Sequence, residues 1–231
     1  MNRKLIIALT GFLCVAAGAC APASAPSTQA PSGGAPVIQR TLVIGARGQP
    51  PTFAAKPIVS FSGSLQEPRT LFNATLDFPD QRGEIHPILQ EALPQLNSAS
   101  WKVFPDGTME TIHQLKPNLT WHDGQPLSAE DFAFAWQVYS APALGVSGTA
   151  PLAQIQDVLA SDPRTVLIRW RVPYPDAASI GDGFQALPRH ILSQPLQTLD
   201  AAAFGNVPFW SPEYVGLGPY RLTALEPGAY L

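Results

Sequence analysis

"TWHDGQPLSAEDFAFAW", residues 120–136, compresses a turn, a proline and the start of an amphipathic helix into one stretch. Asp123-Gly124 is a turn signal. Ser128 suits a helix N-cap, and Glu130 and Asp131 place negative charge in the first turn, where the helix dipole favours it. Phe132, Ala135, Trp136 and Tyr139 fall at i, i+3, i+4 and i+7, so the spacing predicts a helix over residues 127–139 with one apolar face. His122-Asp123 at the head of the stretch has two readings. It could be a ligand pair or catalytic dyad, or it could be part of a turn that launches the helix. A metal site needs three or four converging ligands, and His86, His113 and His190 show no ligand spacing with His122. The turn is the better supported reading.

Upstream, residues 101–104 and 108–115 flank Pro105-Asp106-Gly107, a strong turn, and read as a hairpin. Met109, Thr111, His113 and Leu115 alternate onto one face. Downstream, residues 155–159 and 165–172 form a second hairpin around "SDPR". Val166, Ile168 and Trp170 lie on one face, and Leu167, Arg169 and Arg171 on the other. Residues 41–46 read as a strand, residues 188–192 as a short helix and residues 220–225 as a final strand. Residues 69–76 fit helix or strand, residues 88–92 fit one helical turn, and residues 57–63 are ambiguous. The fold class is α/β in the broad sense, a mixed α+β pattern with hairpins rather than a βαβ series.

The N-terminus has its own chemistry. Arg3 and Lys4 precede an apolar run over residues 5–17, shorter than the roughly 20 residues of a membrane span. The run ends in Ala17-Gly18-Ala19-Cys20. Residues 1–20 read as a secretory signal. Ala17-x-Ala19 also fits ordinary signal peptidase, while Cys20 fits the lipidated cysteine of a bacterial lipoprotein. Residues 21–38 are dominated by Ala, Pro and Ser, too poor in apolar surface to offset their ordering entropy, and read as a flexible tether. Cys14 and Cys20 are the two cysteines of the chain, so residues 39–231 hold no disulfide.

Composition excludes some functions. Hydrophobic residues make up 45% and charged residues 13% of 231, with net charge -3. This describes a chain with a real core and no basic face for nucleic acid. The nearest approach to a G-x-S-x-G nucleophile elbow, at residues 145–149, fails at its last glycine, and no phosphate loop occurs. Asp182 and Glu213 are lone acids. No catalytic residue, metal ligand or cofactor is assigned.

Residues 115–136, "LKPNLTWHDGQPLSAEDFAFAW", resemble the signature of the extracellular solute-binding proteins of family 5, the peptide, nickel and oligosaccharide receptors of bacterial ABC importers. "LFNATLDFPDQRGEIHPILQEALP", "ALPRHIL" and "GLGPYRLTALEPG" are similar to further family segments in the family's order, with Leu217 where Thr or Ser is usual. The resemblance implies a type II periplasmic-binding architecture. Residues 39–231 would be its N-terminal lobe, residues 65–203 a smaller subdomain within it, and the second lobe would be missing. It implies an extracytoplasmic receptor, anchored to the membrane through Cys20, that hands a peptide or other small solute to ABC permease and ATPase subunits. Gln49, Pro50 and Pro51 would line the cleft, with Tyr220 a further ligand contact and residues 218–220 near a hinge. Two contrasting expectations are a secreted lipoprotein hydrolase using His122-Asp123, and a truncated relic of the receptor.

Overall fold

The computed structural model describes residues 43, 52–54, 67–144, 148, 150–181 and 183–226. The signal and tether with Cys20, the strand at residues 41–46 apart from Val43, Gln49, Pro50, Pro51 and residues 57–63 lie outside the described residues. Val43 aside, everything below belongs to the compact unit formed by residues 45–231.

Both hairpins form, and together they make one sheet. β3 (Trp101–Val103) and β4 (Met109–Gln114) pair antiparallel, as do β5 (Ile155–Asp162) and β6 (Thr165–Trp170). β4 then pairs with β6 along its whole length, from Met109 opposite Trp170 to Gln114 opposite Thr165, giving the order β3-β4-β6-β5. The alternation read from sequence is the alternation of burial. Met109, Thr111 and His113 are buried on β4, and Val166, Ile168 and Trp170 on β6. The predicted helix is α2 (Ala129–Ser140), with Ser128 in extended conformation at its N-cap. It packs on β5 and β6. Its start is fixed to the β5–β6 turn by the Ala129 amide, which donates to the Pro163 carbonyl at 2.8 Å. Phe132, Ala135, Trp136 and Tyr139 are buried as expected, but so are Phe134 and Val138. The helix is covered on more than one side because α3 (Arg189–Thr198) and the 177–187 segment pack against it.

Three readings are corrected. Residues 88–92 are not a helical turn. Their backbone instead extends the sheet: Gln90 bridges Leu115, the Glu91 amide donates to Gln114 and the Lys116 amide to Leu89. Residues 220–225 form no strand, for they have no ladder partner among the described residues; the Tyr220 amide donates instead to the end of α1 (Glu67–Phe72). The helix at Pro188 runs on to Thr198 through Pro195, which forgoes one ladder bond near the helix end. The 69–76 ambiguity divides: helix to Phe72, then β1 (Asp77–Pro79), which pairs with β2 (Ile85–Pro87) in a separate hairpin.

Two buried polar groups hold loops to this frame. The carboxylate of Asp77 accepts from the Ile180 and Gly181 amides at 3.2 and 3.1 Å. His113 is wholly buried under the sheet, between Gln90 Oε1 at 2.8 Å from Nδ1 and Thr111 Oγ1 at 3.2 Å from Nε2. Thr111 Oγ1 also accepts from Trp170 Nε1 at 3.0 Å. Burial pushes the His113 pKa down to about 3 and so keeps the ring neutral. With Gln90 Oε1 accepting, the proton sits on Nδ1, and Thr111 can donate to Nε2 while it accepts from Trp170. The unfolded chain binds a proton near pH 6.5 that the folded chain refuses, so the stability contribution is complete above that value and is lost as pH falls toward 3. Between pH 7 and pH 5, His113 is expected to remove about 2 kcal/mol of stability. Urea unfolding of wild type and His113→Asn at both pH values checks this. Equal pH dependence in the two proteins would sink it.

Candidate functional site

The signature stretch is a turn, and it is a turn with two hands. Trp121 N–H donates to Gln125 O at 2.8 Å, and Gly124 N–H to Trp121 O at 2.9 Å. Gly124 sits at φ 89°, in the left-handed region that a side chain resists. His122 and Asp123 leave this turn in different directions. His122 Nε2 donates to the Gly218 carbonyl at 2.8 Å, and its amide donates to the Gly216 carbonyl at 3.0 Å. Asp123 accepts from His190 Nε2 on α3 at 2.8 Å. Burial raises the Asp123 carboxyl, but the hydrogen bonds from His190 and the Gln125 amide outweigh it and leave the group below the ordinary carboxylate range. The two side chains are thus partnered separately, one with each flank of the turn, and do not form an acid–base relay.

Beneath the turn, Asp131 binds three elements at once. It is 5% exposed. Its Oδ2 accepts from the Ser128 amide at 2.9 Å and from Trp121 Nε1 at 3.4 Å, and its Oδ1 accepts from the Arg189 amide at 2.9 Å. The turn, the start of α2 and the start of α3 are joined there. The shallow recess of ≈ 270 Å³ between the two helix starts is lined by Glu130, Asp131, Arg189 and His190 among others. Its polar side chains are already partnered, Arg189 with Glu130 at 3.0 Å and His190 with Asp123 at 2.8 Å.

The segment that His122 holds runs over the C-terminal end of α1. Leu217 and Gly218 both donate to the Phe72 carbonyl, at 3.2 and 2.9 Å, and Tyr220 donates to the Leu71 carbonyl at 3.0 Å. These are carbonyls that a helix end leaves without internal partners. The approach is too close for side chains. A Cβ on Gly216 would overlap the Phe72 carbonyl oxygen, and one on Gly218 would overlap the Asn73 nitrogen and come within 2.5 Å of the Leu71 oxygen. Tyr220 emerges from this contact half exposed.

The same helix end receives residues 52–54, which directly follow the predicted cleft residues Gln49, Pro50 and Pro51. Phe53 is fully buried and packs edge-on against Phe72 at 5.2 Å. Its carbonyl accepts from Asn73 Nδ2 at 2.7 Å, while Asn73 Oδ1 accepts from the Tyr214 hydroxyl. Burial holds the Tyr214 phenol above its ordinary range. The Thr52 hydroxyl and the Phe53 amide both donate to the Trp210 carbonyl, at 2.6 and 3.2 Å. The structure therefore brings residues 52–54 and 216–220 to one place, the three residues 71–73. Sequence reasoning had Tyr220 and the glycines but not Asn73, Trp210 or Tyr214, and no local pattern marks those three.

The description "Bacterial extracellular solute-binding proteins, family 5 Middle" matches residues 91–231. A Brucella ovis protein named for peptide binding in an ABC transporter is 27% identical over 132 residues, 57% of this chain and 24% of that protein. The chain spans about a quarter of the length of the curated relatives it matches. Among solved structures, the oligopeptide-binding protein of Thermus thermophilus complexed with a pentapeptide superposes with a TM-score of 0.69 at 22% identity, covering 81% of this chain and 36% of that one. The oligopeptide-binding AppA of Bacillus subtilis with a nonapeptide gives 0.64 at 18%, covering 79% and 34%. NikZ of Campylobacter jejuni with Ni(L-His) gives 0.57 at 24%, covering 77% and 32%. At these identities the structures establish the fold: a mixed α/β arrangement shared with part of each solute-binding protein.

Proposed function

The chain belongs to the bacterial extracellular solute-binding proteins of family 5, and from that premise we propose that it captures oligopeptides for an ABC importer. The observation that carries the reading is the match across residues 91–231, which includes the whole signature turn and the segment it holds. The peptide class is favoured over a nickel complex by the relatives. The Brucella ovis protein is named for peptide binding, and the T. thermophilus and B. subtilis proteins were seen with peptides. An extended peptide would lie against the α1 end, with Gln49, Pro50, Pro51 and Tyr220 as its contacts from this chain and main-chain hydrogen bonds supplying much of the affinity. The partners would be permease and ATPase subunits.

The protein would work outside the cytoplasm, held to the membrane by a lipid on Cys20. Among the described residues no helix is long and apolar enough to cross a membrane. The reading as a secreted hydrolase finds no support in the His122-Asp123 pair, because each side chain is committed to a different partner.

Calorimetric titration of the purified chain with a random-sequence pentapeptide pool, and separately with a nickel–histidine complex, tests the ligand class. Heat with the peptides and none with the nickel complex is expected; the reverse would overturn the peptide assignment. Palmitate labelling in the producing cell, abolished in Cys20→Ser, is expected for the anchor, and an unlabelled wild type would remove it.

A further inference from the structure

We propose that His122 is a positioning residue for ligand capture, acting through the Gly218 carbonyl to set the placement of Tyr220. The inference rests on the peptide-capture reading and adds a residue to it. Three observations lead there. First, the His122 ring reaches 96 residues along the chain to Gly218, and a carbonyl can only accept, so Nε2 carries the proton. The other ring nitrogen is buried without a partner among the described residues. The ring thus has one productive hydrogen bond, and it is spent on this backbone group. Second, the held segment is short and tightly specified. The Gly216 and Gly218 carbonyls are bonded to the turn, the Leu217, Gly218 and Tyr220 amides are bonded to α1, and Tyr220 follows two residues after the held carbonyl. Third, Tyr220 is 53% exposed although its own amide is fixed to Leu71. Its backbone is placed rigidly while its ring is left free for a ligand.

The α1 end supplies the reference point. Residues 52–54 are anchored to it through Phe72 and Asn73, so fixing Gly218 there sets Tyr220 relative to the chain that continues from Pro51. The His122 ring bond is the shorter of two side-chain bonds in that fixation. Without it, three backbone bonds to α1, one from the His122 amide and a long one from Arg221 Nη1 to the His122 carbonyl at 3.5 Å remain. The fold should therefore survive its loss while the position of Tyr220 loosens.

The test uses the full chain and the random-sequence pentapeptide pool. His122→Phe keeps an aromatic ring and loses the donor. His122→Gln places an amide N–H where Nε2–H was. Peptide Kd is expected to rise about tenfold in His122→Phe, as the loss of one hydrogen bond would give, and to stay within about threefold of wild type in His122→Gln. Hydrogen exchange at the Gly218 and Tyr220 amides is expected to quicken in the Phe variant alone. Equal peptide affinity in wild type and His122→Phe overturns the positioning role and leaves the capture reading standing. Weakening of the same size in both variants also overturns it, since the hydrogen bond would not be the cause. If wild type binds no peptide while its circular dichroism shows a folded chain, peptide capture fails and the positioning role fails with it.

Discussion

Asp131→Ala is expected to destabilise the protein by about 3–5 kcal/mol, the loss typical of breaking a buried charged hydrogen-bond network. The carboxylate takes donors from three separate elements: the Ser128 amide, the Trp121 indole and the Arg189 amide. Truncation leaves all three without the acceptor in a site only 5% exposed. It also removes negative charge from the first turn of α2, where the helix dipole favours it. Asp131→Asn should recover part of the loss, since one oxygen remains while the new amide faces N–H groups that it cannot accept from. The adjacent acid provides the contrast. Glu130 pairs with Arg189 on the surface, with its side chain 60% exposed, and Glu130→Ala should change stability by less than about 1 kcal/mol. Urea unfolding of the three variants decides the matter. A loss below 1 kcal/mol in Asp131→Ala would mean that the three elements are held by packing alone.

Gly218→Ala is expected to cost about 3 kcal/mol, through a different mechanism. The added methyl meets the Asn73 nitrogen, the Phe72 carbonyl carbon and the Leu71 carbonyl oxygen. All three are backbone atoms of one helix end, so no side-chain rotation relieves the overlap, and the losses reach the upper end seen for overpacking. The segment must lift, which breaks the bonds from residues 217, 218 and 220 to α1 and withdraws the acceptor from His122. Gly148, around which a Cβ meets nothing within 4 Å, supplies the control: Gly148→Ala should be neutral within about 0.5 kcal/mol. Thermal unfolding is the measurement. Equal midpoints for the two alanine variants would show that the 216–220 segment is not seated on α1 in solution.

The sequence was most readable where periodicity and turn chemistry agree. The two hairpins and α2 each combine a strong local turn or cap with alternating or helical apolar spacing, and all three form close to where that spacing places them. Residues 88–92 misled because "ILQEA" has good helix formers, yet the backbone of Gln90 and Glu91 finds partners at the end of β4; tertiary pairing overrode propensity. Residues 220–225 have strand composition, but composition does not supply a neighbouring strand. Asp131 was legible as a favourable helix-start charge and no more, since its other partners arrive from residues 121 and 189. Asn73 and Tyr214 carried no signal. Their meaning lies in a contact 141 residues apart, and no local window contains it.

The junction at residues 71–73 has a consequence for the order of events during synthesis. The β3–β4 and β5–β6 pairs can form as soon as each short stretch of chain is available, for their loops are only a few residues long. The junction cannot. Its carbonyls belong to residues 71 and 72, while their donors belong to residues 217, 218 and 220, and Thr52 waits for a carbonyl 158 residues downstream. Closing so long a loop adds little to the equilibrium cost, because that cost grows only with the logarithm of loop length. Its toll is temporal: a ribosome adding roughly 5–20 residues per second leaves the end of α1 uncapped for roughly 7–30 seconds. Through that interval Phe53 and Phe72 await Tyr214 and the segment that ends at Tyr220.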